Sequence, residues 1–215
     1  VAELVDELSD AAKLIGACNT VVVKDGKLYG NNTDGMGFVR NLKENGVDVK
    51  GKKMTIMGAG GAATAVQIQS ALEGAAKISI FNRADEFYAN AEHTKAKIKE
   101  MLPECDVNVY PLEDTEKLYA EIRDSDILVN ATKVGMKPLD GQSLIEDTSV
   151  FRPDPVVADV VYNPKETKFV QDAKAAGCKV AVGGIGMLLW QGAAAFKLFT
   201  GEDMPTDEVY ELFFK

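Results

Sequence analysis

With 215 residues, 46% hydrophobic and 27% charged, the chain is long enough for one full globular domain and part of a second. Its formal net charge of −9 excludes a general nucleic-acid surface, which needs a basic stripe to meet phosphates. No apolar run approaches the ~18 residues that span a membrane, the start Val1–Glu7 resembles no signal peptide, and Cys18, Cys105 and Cys178 lack metal-ligand spacing, as expected of free thiols in a cytoplasmic protein.

Leu4, Val5, Leu8, Ala11, Ala12 and Ile15 recur at helical spacing, so the chain opens in a helical pattern; with Val rather than Met first, the expectation is a piece of a longer protein. Gly16-Ala17-Cys18-Asn19-Thr20 reads as a turn before a strand. Val21–Lys24, Asp25-Gly26 and Lys27–Gly30 spell a hairpin: a β-branched run, a tight turn and a second short strand. Asp34 then precedes the helical pattern Phe38, Val39, Leu42, which stops at Asn45-Gly46. Lys50–Lys53 is a polar connector and the expected domain boundary.

Beyond it strands are expected at 54–58, 78–82, 107–110, 126–130, 156–160 and 179–182, with helices near 62–73, 85–101, 113–123 and 166–176. That alternation implies an α/β fold with a doubly wound parallel sheet. After Gly183-Gly184-Ile185-Gly186 an apolar helix runs through Met187 and Trp190 to Phe199 and stops at Gly201. A final amphipathic helix spans about 206–214 with Thr206 as its expected N-cap. These two helices are placed to pack back against residues before 51, closing a cleft.

The chemistry-bearing signal is Gly58-Ala59-Gly60-Gly61-Ala62-Ala63, between an apolar strand and a helix start. Gly58, Gly60 and Ala63 fit G-x-G-x-x-G/A: a tight turn, close backbone approach to a pyrophosphate, and close strand–helix packing. The helix N-terminus offers unpaired N–H groups and a positive dipole end to phosphates. After the next strand come Asn82-Arg83-Ala84-Asp85, where a Rossmann domain places its ribose-binding acid. Asp85 suits a diol and repels a 2′-phosphate, Arg83 suits adenine or that phosphate, and Asp85 is equally placed to cap a helix starting at Glu86. Asp34 likewise reads either as a helix N-cap or as a functional carboxylate. His93, the only histidine, lies in a polar helical run, which disfavours a histidine base.

Six motifs occur in order: Gly16-Ala17-Cys18-Asn19-Thr20, Asn32-Thr33-Asp34-Gly35, Gly58–Ala62, Asn82-Arg83, Val160-Val161-Tyr162-Asn163-Pro164 and Gly186-Met187-Leu188-Leu189-Trp190-Gln191. Together they resemble the shikimate dehydrogenase family. Asn82–Phe87 and Thr132–Leu139 resemble its quinate/shikimate branch. The resemblance implies a Rossmann-like NAD(P)-binding domain at 51–185, a remnant of an N-terminal α/β substrate domain at 1–50, and C-terminal helices at 186–215 that pack back on it. It implies hydride transfer between NAD, with NADP also admitted, and a ring hydroxyl of shikimate or quinate. Asn19, Asp34 and Gln191 match positions that hold substrate hydroxyls, and Asp34 matches the acid of a catalytic Lys–Asp pair. Gly58, Ala59, Gly60, Gly61, Ala62, Asn82, Arg83, Ala84, Asp85, Lys133, Val160, Val161, Tyr162, Asn163 and Gly184 match cofactor-contacting positions. No metal is implied, and a homodimer is compatible with the reading.

The family carries its Ser-x-Ser carboxylate anchor and its catalytic lysine upstream of Gly-Ala-x-Asn-Thr. No lysine here, Lys13 and Lys24 included, stands in that motif. The expectation is a chain without the lysine, and an Asp near its reference pKa is a poor base for an alcohol on its own. The alternatives are a non-catalytic NAD-binding fragment or sensor, and a dehydrogenase acting on a folate or an aminoacyl-tRNA, the last disfavoured by the charge.

Overall fold

The apolar runs condense into two sheets in the computed structural model, which describes all of Val1–Lys215. In the small sheet, β1 (Glu7–Leu8) runs parallel to β3 (Lys27–Asn31), which pairs antiparallel with β2 (Thr20–Lys24). The β2–β3 hairpin turns on Asp25 (φ 53°) and Gly26 (φ 78°). Two successive left-handed residues give the turn whose twist matches the flanking strands.

Between β1 and β2, α1 (Asp10–Ile15) starts at Ser9, whose hydroxyl accepts from the Ala12 amide at 3.2 Å, and ends on Gly16 at φ 77°. The N-terminal helical pattern is thus realised as α-helix only over residues 10–15, with one 3-10 turn at Ala2–Leu4. Upstream, Asp6 N donates to Leu28 O at 3.0 Å and Ser9 N to Gly30 O at 2.9 Å. This tertiary pairing captures the segment for the sheet and overrides its local periodicity.

α2 (Asp34–Glu44) leads into a six-stranded, wholly parallel sheet: β4 (Lys53–Met57), β5 (Lys77–Asn82), β6 (Asp106–Pro111), β7 (Ile127–Asn130), β8 (Val156–Asp159) and β9 (Ala181–Val182). Their order is β6-β5-β4-β7-β8-β9. The winding therefore reverses between β4 and β7, and a crevice opens at the carboxyl ends of those strands. The helices α3 (Gly61–Leu72), α4 (Tyr88–Met101), α5 (Thr115–Asp124) and α6 (Lys168–Ala175) make the crossovers. Met54–Met57 and all of β7 are buried, the continuous apolar reading of strands covered on both faces. One core cluster joins Ile56, Ile78 and Val66 to Phe38 and Leu42 of α2; another joins Met57, Phe81, Leu128, Val157 and Phe169.

Most element ends shift by one or two residues from expectation. β9 shortens to two residues, and α4 begins at Tyr88 because the Asp85 carboxylate accepts from the Phe87 amide at 3.0 Å, holding 83–87 as a turn. Asp85 therefore does not cap a helix starting at Glu86.

α7 (Gly184–Thr200) lies along α2 with almost no gap. A Cβ on Gly37 would stand 2.6 Å from Gln191 N and 2.6 Å from Met187 O, and one on Gly186 would collide with the Asn41 side chain. α8 (Thr206–Phe213) packs on α7. Its N-cap is Pro205 rather than Thr206: Val209 N already donates to Pro205 O at 3.1 Å, so the first turn closes one residue earlier than expected. No helix is long and apolar enough to cross a membrane.

Glu121 of α5 pins that helix to the sheet. It accepts from Lys77 Nζ, Ser79 Oγ and Lys117 Nζ, each at 2.7 Å. Burial pushes its pKa up, but the hydrogen bonds from Lys117, Lys77 and Ser79 outweigh this and carry it from the ordinary 4.5 to about 2. A depressed folded pKa means stability present above pH 4.5 and lost as pH falls toward 2. Glu121→Gln is expected to cost about 1.5–3 kcal/mol at neutral pH, the range for hydrogen bonds to charged groups. Urea titrations at pH 7 and pH 3 should show that difference narrowing at the lower pH.

Candidate active site

The β2–β3 register, Thr20 opposite Asn31, brings Asn19 next to the chain leaving β3. Asn19 Nδ2 lies 2.9 Å from Asp34 Oδ1, 3.1 Å from Thr33 Oγ1 and 3.3 Å from Gln191 Oε1. Its Oδ1 accepts from the Thr33 amide and from the Thr20 hydroxyl, each at 3.0 Å. An amide nitrogen has two protons, so three acceptors around it cannot all be satisfied at once. Asp34 Oδ2 and Gln191 Nε2 make no hydrogen bond within the chain. The cluster thus keeps acceptor and donor capacity for a ligand's hydroxyls.

Thr33, not Asp34, occupies the N-cap of α2, and Asp34 is the first helical residue. The capping alternative is thereby removed; Asp34's carboxylate instead faces Asn19. Burial raises its pKa above the ordinary aspartate value, partly opposed by the hydrogen bond from Asn19, and it makes no salt bridge. Lys13 is paired with Asp10 and Lys24 is exposed at the end of β2. Gln191 arrives from α7 solely because that helix packs so closely on α2. A 290 Å³ cavity lined by Asp34, Gln191, Met187, Leu188, Gly184, Ala62, Val160 and Tyr162 opens beside the cluster.

The glycine turn lies at the sheet's switch point. Gly58, at φ 118°, is required by the fold, since a Cβ there would sit 2.6 Å from Ala131 O. Gly60 is different. Its backbone is extended (φ −76°, ψ −178°), and a Cβ on it, or on Gly61, would meet nothing within 4 Å. That open space sits before the uncapped N-terminus of α3, where N–H groups have no side-chain partner. Gln67 Nε2 braces the turn from within α3 by donating to Gly58 O at 2.8 Å.

Two further cavities flank this point. One of 460 Å³ is walled by Gly58, Ala59, Asn82, Arg83, Asp85 and Leu112; one of 410 Å³ is walled by Gly61, Ala62, Val160, Val161, Tyr162 and Asn163. They share Gly60, Ala131, Thr132 and Lys133, and the second shares Ala62, Val160 and Tyr162 with the cavity at Asp34. The result is one groove running from Asp85 to Asp34. Asp85 Oδ1 accepts from Asn82 Nδ2 at 2.9 Å, fixing the carboxylate at the groove's far end. Of the expected site residues Ala84 and Asn19 line none of these cavities, Asn19 reaching the site only through its hydrogen bonds to Asp34 and Gln191, and His93 is exposed on α4, away from them.

Sequence reasoning assigned no role to Thr33, Thr132 or Met187. All three lie inside stretches already quoted, but as ordinary loop and helix residues with no chemistry of their own to single them out. Their contribution becomes visible only in three dimensions.

Residues 184–212 match the model of the shikimate 5'-dehydrogenase C-terminal domain. A shikimate dehydrogenase (NADP(+)) of Listeria monocytogenes serotype 4b is 52% identical over 209 residues, covering 97% of this chain and 71% of the relative. The crystal structure of shikimate 5-dehydrogenase from Listeria monocytogenes in complex with shikimate and NAD is 51% identical, with a TM-score of 0.96 over 99% of this chain and 73% of that one. Quinate dehydrogenase from Corynebacterium glutamicum in complex with NAD is 32% identical, with a TM-score of 0.86 over 98% and 72%.

The raised pKa of Asp34 carries a stability consequence. The folded state holds its proton more tightly than the unfolded chain, so the group is most favourable below the unfolded pKa and loses that benefit as pH rises through the folded one. At pH 7 the ionised carboxylate therefore weighs against folding. Asp34→Asn, whose carboxamide oxygen still accepts from Asn19, should leave the Tm unchanged or raise it by about 1–3 °C. Calorimetric melting at pH 7 checks this; a substantial fall in Tm would make Asp34 a structural residue.

Proposed function

The chain belongs to the shikimate dehydrogenase family, and we propose that its groove performs hydride transfer between NAD(P) and a ring hydroxyl of shikimate or quinate. One observation carries the reading. An open phosphate cradle and a hydroxyl-binding cluster are the middle and the end of a single groove. The dinucleotide's diphosphate fits Gly60–Ala62 at the N-terminus of α3, its adenosine ribose fits Asn82–Asp85, and its nicotinamide half fits Lys133 with Val160–Asn163 and Gly184. When bound, the nicotinamide ring takes up or supplies the hydride.

The chain's own residues do the rest. Gln191 Nε2 and Asp34 Oδ2, the unpaired donor and acceptor of the cluster, suit vicinal ring hydroxyls, and Asn19 Nδ2, with more acceptors around it than protons, holds both side chains in place beside them. Met187 and Leu188 give the cavity an apolar wall that keeps water from the transferred hydrogen. Asp34 stands where an alcohol proton must be held as the carbon loses hydride, and burial makes its carboxylate a stronger base than an exposed one. Asp34 meets no amine among the lysines of residues 1–215, whereas the family resemblance pairs the acid with a lysine. This supports a second reading, in which these 215 residues bind the dinucleotide but turn over substrate at or near background. The three unpaired thiols, the charge of −9 and the absence of any membrane-crossing helix support a cytoplasmic protein that meets small molecules rather than nucleic acid. A homodimer remains compatible with the fold.

Calorimetric titration with NAD tests the cradle directly. Gly60→Val places its side chain in empty space, so the Tm should hold while affinity falls by about a hundredfold or more. Undiminished binding would overturn the placement of the diphosphate. In a turnover assay with shikimate or quinate, Asp34→Asn should abolish whatever rate the wild type shows and leave NAD affinity within about twofold.

Cofactor choice rests on Asp85. A carboxylate accepts from two ribose hydroxyls but repels a 2′-phosphate, a difference that reaches several kcal/mol when desolvated. NAD is therefore expected to bind more tightly than NADP, with Arg83 leaving NADP admissible. Asp85→Ser should narrow or invert the ratio of the two dissociation constants. Equal wild-type affinity for both would transfer the selection to Arg83.

A further inference from the structure

Asp159, the last residue of β8, is 1% exposed and has no cationic partner. Its Oδ1 accepts from Asn130 Nδ2 at 3.0 Å and from the Val161 amide at 2.9 Å, and its Oδ2 accepts from Thr167 Oγ1 at 2.5 Å. Burial pushes its pKa up, against the opposing hydrogen bonds from Thr167, Val161 and Asn130. An uncompensated buried carboxylate is expensive, and a fold retains one only where several donors converge on it.

Asn130, the last residue of β7, extends the network. Its Nδ2 also donates to Val134 O at 3.0 Å, while its Oδ1 accepts from Thr132 N at 3.2 Å and Thr132 Oγ1 at 2.7 Å. The two strand-end side chains, bonded to each other, therefore hold both loops that leave the strands: 131–134 on one side, 160–163 on the other. Those loops are the opposing walls of the 410 Å³ cavity. Thr167 ties the same carboxylate to the start of α6, where it accepts from Val170 N at 3.4 Å.

We propose that Asp159 is a positioning residue: its carboxylate, acting through Asn130 and the Val161 amide, fixes the separation of the 131–134 and 160–163 loops and so the width of the groove where the nicotinamide half of the cofactor sits. The inference rests on the groove assignment made above. Asp159 itself lines no part of the cavity, so its effect is transmitted entirely through the two loops. Asn82–Asp85 and Leu112, which form the adenosine end, make no hydrogen bond to this network; the 131–134 loop borders both cavities, but the 160–163 loop borders only the nicotinamide one, so the separation of the two loops sets the width at that end alone.

The test compares two probes, NADH and 5′-AMP, on the wild type and on Asp159→Asn. The variant puts an amide N–H among three donors and spoils the convergence. Its NADH dissociation constant, read by nicotinamide fluorescence, should rise about tenfold, and the bound-state emission should shift toward that of free NADH. Its 5′-AMP affinity, read by calorimetry, should stay within about twofold. Equal loss for both probes would reduce Asp159 to a general structural role, and unchanged NADH binding would overturn the proposal outright. Should Asp159→Asn fail to fold, Asn130→Ser severs only the 131–134 arm and is expected to show the same selective loss. Wild-type protein that bound 5′-AMP but not NADH would instead defeat the groove assignment on which the proposal stands.

Discussion

The near-contact of α2 with α7 is the constraint on which the substrate end of the groove depends. Gly35 and Gly37 face opposite sides of α2. A Cβ on the first would lie 2.5 Å from Ala65 O of α3, and one on the second 2.6 Å from the Gln191 amide of α7. α2 is thus clamped between the first crossover helix of the large sheet and the helix that follows its last strand. Interiors transmit such displacements because they are close-packed and yield little. A methyl group at Gly37 would lift Gln191 away from Asn19 and Thr33, although neither side chain would itself have changed. Asn41 reinforces the seam by donating to Gly183 O at 3.5 Å, just before α7 begins.

Three buried or half-buried carboxylates show how differently the fold treats charge. Glu121 is met by two lysines and a serine, and its pKa falls; its role is to hold α5 against the sheet. Asp34 and Asp159 have no cation, and burial raises both. The difference follows position. Glu121 lies on the flank of the sheet, where lysine stems reach across its edge while their amines stay partly solvated. The other two lie beside the groove or at the carboxyl end of a strand, where no lysine or arginine of residues 1–215 reaches them. Carboxylates kept without a partner lower stability, and that is the usual signature of a site shaped by chemistry rather than by folding.

Much of this was legible in the chain itself. Gly58 with a positive φ, the Asp25-Gly26 turn and the buried β4 and β7 runs are local features, written in spacing and composition. The opening segment departs from its helical spacing because Val5 and Leu8 fit a helical period while the backbone from Asp6 to Ser9 is claimed by β3, with Glu7 opposite Tyr29 and Leu8 opposite Gly30. Asp34 was ambiguous for a related reason. At a helix start a carboxylate that caps and one that faces a cavity have the same sequence context, and only the position of Asn19 across the hairpin separates them. Asp159 gave no signal at all, because a strand-ending aspartate is common and its partners Asn130 and Thr167 are distant from it or unremarkable in sequence.

The two ends of the groove meet at a close backbone contact. Gly184, the first residue of α7, packs so tightly on the Val160 carbonyl that a Cβ there would collide with it. α7 therefore carries Gln191 to the hydroxyl cluster and at the same time abuts the loop that walls the dinucleotide cavity. Ala62, at the first turn of α3, lines both cavities from the other side. Hydride transfer demands that donor and acceptor carbons be held near ~3–3.5 Å in a narrow range of orientations. A substrate site and a cofactor site on independently mobile elements would meet that demand only part of the time. In the proposed groove the helix that carries Gln191 rests directly on the 160–163 loop, so the spacing of a substrate and a dinucleotide bound there would be set by backbone packing at one glycine rather than by the chance alignment of two bodies.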